Sequence, residues 1–429
     1  MRSALKRLGN ALLPERLGRD FRYLWYSSTI GNLGDGILLS AGPLLVASLT
    51  REPFPVAMAV LAQRLPWVVF GVVAGAIIDR LDRRRLIIVV DLLRAVVLLL
   101  LMAIVATGHV NLTTIYVAMF LIGTAETFAD NAGMVYMAVV VPKAELGMAN
   151  ARMFGSFTVT NQLVGPPLGA LLFTVGMALP FGLNGVCFLL SAAVVARMVP
   201  RPAVPREADS RSLRNEVSEG LRWLWSHPPV RTLAIMITIF NITFGASWSV
   251  LVLYAYEHLG LDEFGFGLFL TVSAVGGLIG SGSFGFLERR FPYAVLLRVG
   301  LVIETLTHLC LALTSTPAVA ALVMTIFGAH AVVWGTTSAT VRQRAVPERL
   351  LGRVTSVYML GSIGAIAIGT LLGGAFAQRW GILAPFWFAF VGSAITTALI
   401  WRSLTYVAHA ADVPDDDPPP PPPATSRLI

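Results

Sequence analysis

Charge is what this chain of 429 residues has least of. Asp, Glu, Lys and Arg make up 13% of it, against roughly 25% in an average soluble domain. That deficit excludes an ordinary soluble fold. Lysine is nearly missing, with 2 against 30 arginines, and the arginines gather in short segments between apolar runs. The net charge of +8 is therefore spread over connecting loops, and nucleic acid is not an expected partner. The two cysteines, Cys187 and Cys310, both lie in apolar runs, which excludes a disulfide framework. No Gly-x-x-x-x-Gly-Lys-Ser/Thr loop is present, so ATP-driven transport is not expected. No Cys/His group has structural-metal spacing. Neither an enzyme nor a cofactor is expected. The N-terminus is basic but has no compact apolar core with a cleavage site, so no removable signal peptide is expected.

What the chain has is long apolar runs. It is 56% hydrophobic, with mean hydropathy +0.73. Runs of about 20 residues recur along its length, the mark of membrane-spanning helices. They cover residues 21–48, 55–78, 86–106, 112–140, 149–175, 180–198, 230–256, 264–287, 293–314, 317–341, 354–378 and 382–407. Helices are the expected form, because lipid offers backbone groups no partners. The expected fold is an all-α membrane protein of about twelve transmembrane helices in two six-helix, pseudo-symmetric bundles, 21–199 and 229–407. A polar central loop, 200–228, separates them. A basic segment, 1–20, precedes them, and a Pro-rich tail, 408–429, follows with a composition that cannot bury a core.

The basic residues set an expected orientation. They occur at Arg2, Lys6, Arg7, Arg16 and Arg19, then across 80–85, at Lys143 and Arg152, across 201–222, at Arg289 and Arg290, and across 342–353. If the spans alternate, all these segments share one side, and Arg51 and Arg379 face the other. By the positive-inside rule both termini and the central loop are cytoplasmic. One missed helix would put the later clusters outside.

The halves read as repeats. At a shift of 209, Arg22, Asn32, Gly36, Asp79 and Arg80 fall on Arg231, Asn241, Gly245, Glu288 and Arg289. At a shift of 205, Gly123, Pro142, Gly147 and Gly169 fall on Gly328, Pro347, Gly352 and Gly374. Two halves related by an axis along the membrane normal are a known transporter architecture.

Residues 75–85 run from the end of the second run through the short gap, 79–85, before the third. Gly75, Asp79, Arg80, Arg83 and Arg84 there resemble the signature loop of the major facilitator superfamily, with Asp82 where its second glycine usually stands. Gly165, Pro166 and Gly169 resemble the helix-5 motif of that superfamily's proton-coupled exporters, with Asn161 in place of the upstream glycine. Phe21–Trp25, Gly34-Asp35 and the stretch 346–354 are similar to the bacterial branch of enterobactin and macrolide exporters. This resemblance implies a cytoplasmic gate. Asp79 would pack near 352–356, at the positive end of helix 11, with Arg80 or Arg83 beside it. The repeat implies a weaker counterpart, Glu288 and Arg289 near 147–151. The plainer reading is that the arginines only set topology, but topology requires neither Gly75 nor Asp79.

Charges within the apolar runs are costly, so they face a cavity or a partner. Asp35, Glu126 and Asp130 are the candidate proton carriers. Burial favours a carboxyl group's neutral form, which suits loading on one side and release on the other. Glu126 and Asp130 are four residues apart and share a helix face. Arg64 is either their counter-ion or a partner of Asp91; Arg94 lies nearby. Glu304 and His308 form a second protonation pair or a structural contact. Most such charges fall in the first half, which suits a proton site there and an apolar, drug-binding wall in the other.

The expected function is secondary active export of an amphiphilic small molecule, such as a macrolide or siderophore, from a bacterial cytoplasmic membrane. Protons would enter in exchange. The partners are that substrate, protons and the lipid bilayer, and the chain is expected to act as a monomer. The alternatives are a proton-coupled importer, a dedicated metabolite exporter, or a non-transporting scaffold or lipid-handling protein. The acidic residues in the runs and the Asp79 loop favour transport over the last.

Overall fold

The computed structural model describes residues 14–78, 81–199 and 213–404. Every regular element among them is helical. In chain order they are α1 (Arg19–Leu49), α2 (Pro53–Ile78), α3 (Arg83–Ala106) and α4 (Leu112–Val140). The stretch α5 has three parts: Leu146–Phe157, a π-helical segment Thr158–Val164, and Gly165–Val175. Then come α6 (Leu179–Val195), α7 (Leu213–Ser226), α8 (Pro228–Trp248), α9 (Glu263–Arg290), α10 (Tyr293–Leu313), α11 (Pro317–Ala345), α12 (Glu348–Trp380) and α13 (Ala384–Ile400). Beyond α8 the chain continues through Leu251–Leu253 into a π turn, Tyr254–His258.

Among the described residues nine helices are long and apolar enough to cross a membrane: α1 to α4 and α8 to α12. Two shorter apolar helices are α6 and α13. The faces of α3 show how such a helix is partitioned. Leu93, Val96 and Leu100, spaced for one face, are about half exposed, while Asp91, Arg94 and Leu98 are buried. The apolar side chains point outward and the charges inward, the reverse of a soluble amphipathic helix.

The helices group into two compact units. The first holds α1 to α6 together with Val252–Thr271; the second holds α7, α8, the chain after α8 as far as Leu251, and the chain from Val272. Each unit uses glycine where helices come closest. A Cβ on Gly36 of α1 would lie 2.5 Å from the carbonyl oxygen of Asn161 on α5, and one on Gly245 of α8 would lie 2.5 Å from that of Ile366 on α12. Gly123 and Gly328 repeat the device. Their Cβ atoms would sit 2.1 Å from Gln63 O and 1.8 Å from Ser273 O respectively. Small residues at membrane helix contacts allow such approach. These two matched pairs thus do the same job in each unit, whereas Gly147 and Gly352 have no atom within 4 Å of a Cβ.

Part of the expected central loop is ordered as α7. Its Leu224 is buried with Val230, Val346, Leu350 and Val354, and Glu219 is 2.7 Å from Arg353 Nη1. This short amphipathic helix covers the start of α12, which the sequence had assigned to the gate. Asp79 and Arg80 lie outside the described residues, as do the segments 1–13, 200–212 and 405–429.

Candidate functional site

Asp82 stands where the family's loop carries glycine, and its geometry explains the change. It is the N-cap of α3, and its Oδ1 accepts a hydrogen bond from Arg85 N at 3.2 Å. Its φ of −66° is ordinary for any residue, so no glycine is required. Arg84 reaches the end of α6, donating from Nε to Val195 O at 3.2 Å and from Nη2 to Ala196 O. A guanidinium there satisfies carbonyls that the helix leaves unpaired and complements its dipole. Arg83 is half-buried. Gly75 lies within α2. Glu288 and Arg289 are exposed at the end of α9, where Glu288 accepts a hydrogen bond from Tyr293 Oη.

The motif in α5 marks a change of helix type. The π segment ends at Val164 and the α-helix restarts at Gly165 with proline in its first turn. Proline lacks the donor that a continuing helix would need, and π segments of this kind recur at functional sites. A Cβ on Gly165 would lie 2.5 Å from Gly36 Cα, and Ser40 Oγ donates to Pro166 O at 2.7 Å. Asn161, in the π segment, is buried and donates to Asn32 O at 3.4 Å.

These elements enclose a cavity of about 370 Å³ in the first unit, lined by Asn32, Asp35, Asp91, Arg94, Asp130 and Phe157 among others. Arg94 Nη2 is 2.9 Å from Asp35 Oδ1, and its guanidinium carbon is 4.1 Å from the Phe188 ring centre. Ser191 donates to Asp91 Oδ2 at 2.6 Å, and Ser27 Oγ is 2.7 Å from Ser191 Oγ. Asp130 lines the cavity with an accessible side chain, and Glu126 lies one turn earlier on α4. Three carboxylates, Asp35, Asp91 and Asp130, share the lining of this cavity with one cation, Arg94.

The structure places Asp35 and Asp130 on one cavity lining, with Glu126 one turn before Asp130 on α4. It does not bring Arg64 to them: Arg64 is exposed on α2. The counter-ion beside Asp35 is Arg94, and the side chain on Asp91 is Ser191. Arg94 was visible in the sequence as a charge three residues after Asp91. Nothing in the sequence ranked it above Arg64, because helix rotation decides which charge faces inward.

The second unit has its own cavity, of about 390 Å³. Its lining follows the first at the sequence repeats. At the shift of 209, Asn32 and Asp35 fall on Asn241 and Phe244; at 205, Asp130 and Met153 fall on Gly335 and Tyr358. Carboxylates are thus exchanged for aromatic and small residues. Phe244 and Phe327 stack at 6.0 Å between ring centres, and Arg342 lies 4.1 Å from the ring centre of Tyr358.

The chain matches the family model described as transmembrane secretion effector over residues 13–427. It is 27% identical to the multidrug efflux pump Tap of Mycolicibacterium fortuitum, covering 84% of this chain and 90% of that one. It is 23% identical to macrolide efflux protein A of Streptococcus pyogenes, covering 87% and 93%. It is also 23% identical to the enterobactin exporter EntS of Citrobacter koseri, covering 82% and 84%. In fold it is similar to a crystallised variant of the nucleoside transporter NupG, with a TM-score of 0.76 at 9% identity, covering 90% of this chain and 100% of that one. The chain belongs to the transmembrane secretion effector family of the major facilitator superfamily, as a multi-pass efflux transporter of small molecules and not an enzyme.

Proposed function

We propose that this transporter exports an amphiphilic compound in exchange for protons. The observation that carries the reading is one guanidinium, Arg94, lining a cavity together with Asp35, Asp91 and Asp130, with Glu126 one turn before Asp130 on α4. One cation neutralises one carboxylate. The surplus acids repel one another around the cavity, and protons relieve that repulsion. Asp35 is the carrier nearest the cation, and a proton on it releases Arg94 from their ion pair. That links the protonation state to the packing of α1 against α3. Glu126 and Asp130 accept and pass the proton from the same helix face.

The aromatic cavity of the second unit supports an amphiphilic substrate. The names of the relatives point to a macrolide or a siderophore as the first compounds to try. In this reading twelve helices form two six-helix halves, 21–199 and 229–407, in a bacterial cytoplasmic membrane. Both termini are cytoplasmic, the protein acts as a monomer, and the halves alternate access to a midplane site. The Asp79 loop, with Gly75, Arg80, Arg83 and Arg84, holds the cytoplasmic side closed against the start of α12, and Glu288 and Arg289 form its weaker echo.

The test is flux in proteoliposomes with an imposed pH gradient and a panel containing a macrolide and a catecholate siderophore. Substrate-driven proton movement is expected, with Asp35→Asn abolishing it. Unchanged coupling in Asp35→Asn and Glu126→Gln rules antiport through these residues out. Flux confined to the siderophore identifies a dedicated metabolite exporter.

A further inference from the structure

Three ionisable side chains meet in the second unit, apart from the acidic cavity. Glu304 and His308 share a face of α10, and His330 comes from α11. His330 Nε2 is 3.1 Å from Glu304 Oε2, and His308 Nε2 is 3.4 Å from Glu304 Oε1. His308 Nδ1 lies 3.3 Å from Ser247 Oγ on α8. The three are 7%, 3% and 8% exposed. The surrounding elements add few charges. Arg342 of α11 and Tyr358 of α12 line the same cavity, stacked on one another. From α8 come Asn241 and Ser247, which do not titrate, and from α13 comes Thr397, 3.3 Å from Thr305.

The sequence read Glu304 and His308 as a pair on one helix; the fold makes them a trio. One carboxylate between two neutral imidazoles buries a net negative charge, and buried unpaired charge is unfavourable. One added proton makes the group neutral, and a second makes it a cation. Histidine is the side chain that gains and loses a proton between about pH 5 and 8. A purely structural cluster would be sealed and saturated. Here Glu304 and His330 open onto the 390 Å³ cavity, and His330 Nδ1 is buried without a hydrogen-bond partner. The position is also equivalent to the first unit's. Asp91 and Arg94 of α3 line the first cavity, and Leu301 and Glu304 of α10, with the same spacing, line the second. Each cavity thus takes an ionisable group from α3 or α10, basic in the first and acidic in the second.

We propose that Glu304, His308 and His330 form a second proton-binding site, opening onto the aromatic cavity of the second unit. A proton enters from the cavity onto an imidazole nitrogen and turns a buried anion into a neutral ion pair. It leaves by the same cavity when that pair is broken. An O–H bond of hydronium in the cavity breaks as the imidazole N–H forms, and the reverse exchange returns the proton to water. The site goes beyond the acidic cavity, and its test does not depend on transport.

The experiment is a pH titration of the full-length protein in lipid nanodiscs with its histidines labelled by nitrogen-15, followed by NMR. The chain has 6 histidines, so His330→Gln and His308→Gln assign their signals. The expected result is that these two imidazoles titrate in a coupled manner between about pH 5 and 8. Glu304→Gln should uncouple them and lower by one the protons the protein takes up over that range. Asp35→Asn should leave both signals unmoved, which separates this site from the acidic cavity. Imidazoles that stay neutral across the whole range in the unsubstituted protein overturn the proposal. That outcome needs no variant to fold. Titration of both that is indifferent to Glu304→Gln overturns it as well.

Discussion

Arg94 shows what a single buried side chain decides. It sits 2.9 Å from Asp35 and stacks on Phe188. Removing it leaves carboxylates without their cation, whereas removing Asp35 leaves Arg94 with other acids. Breaking a buried pair from one side costs about 3–5 kcal/mol. Arg94→Gln should therefore lower the thermal unfolding temperature in detergent far more than Asp35→Asn does. Equal shifts would mean that Arg94 is not the shared cation. Asp82 makes a milder case. As the N-cap of α3, replacement by Ala should cost about 1 kcal/mol and by Gly only a few tenths. If Asp82→Gly is the more damaging, capping is not its role. The sequence showed that Asp82 departs from the family pattern. It did not show why, because a cap is a relation between a side chain and a backbone N–H three residues away.

Elements explain the repeat. Gly36 and Gly245, and Gly123 and Gly328, recur because each lets one helix touch another's carbonyl oxygen. Gly123→Leu or Gly328→Leu should each destabilise the protein by about 1–3 kcal/mol through overpacking, read as lower monodisperse yield and unfolding temperature. Gly133→Leu and Gly335→Leu are the controls, since no atom lies within 4 Å of a Cβ there. Indifference at Gly123 with damage at Gly133 would contradict this packing. The helix-5 motif was legible as a proline break. The π segment before it was not, because its extra residue per turn follows from how α5 fits against α1. The helix within 200–228 was also missed: its polar, proline-flanked composition hid a short amphipathic face that α12 buries.

At the scale of the whole molecule, the proposed coupling has a sign. Protons entering from an acidic outside drive export, so transport should quicken as the outer pH falls at fixed inner pH. It should stop when a protonophore collapses the gradient. Proteoliposomes carrying substrate inside and a pH dye outside measure both. Export that persists without the gradient would leave a passive carrier. The Asp79 gate also belongs to this scale. Asp79→Asn should abolish the outward-facing population seen by cysteine labelling without unfolding the protein, and unchanged labelling would leave the loop a topology signal.

Composition by itself determined the class. So few charges and such long apolar runs can satisfy their backbone only as helices in lipid, and the motifs of the Gly75 loop and α5 pointed to the superfamily. The repeat, too, was legible, because helices that pack alike keep glycine at the same places. Tertiary structure decided which charges meet. Arg94 rather than Arg64 joins Asp35, and His330 joins Glu304 from another helix. The reason is geometric. Spacing along one helix says which residues share a face, but not how that face is rotated or what stands opposite. Only packing fixes those, and the buried chemistry of this transporter depends on them.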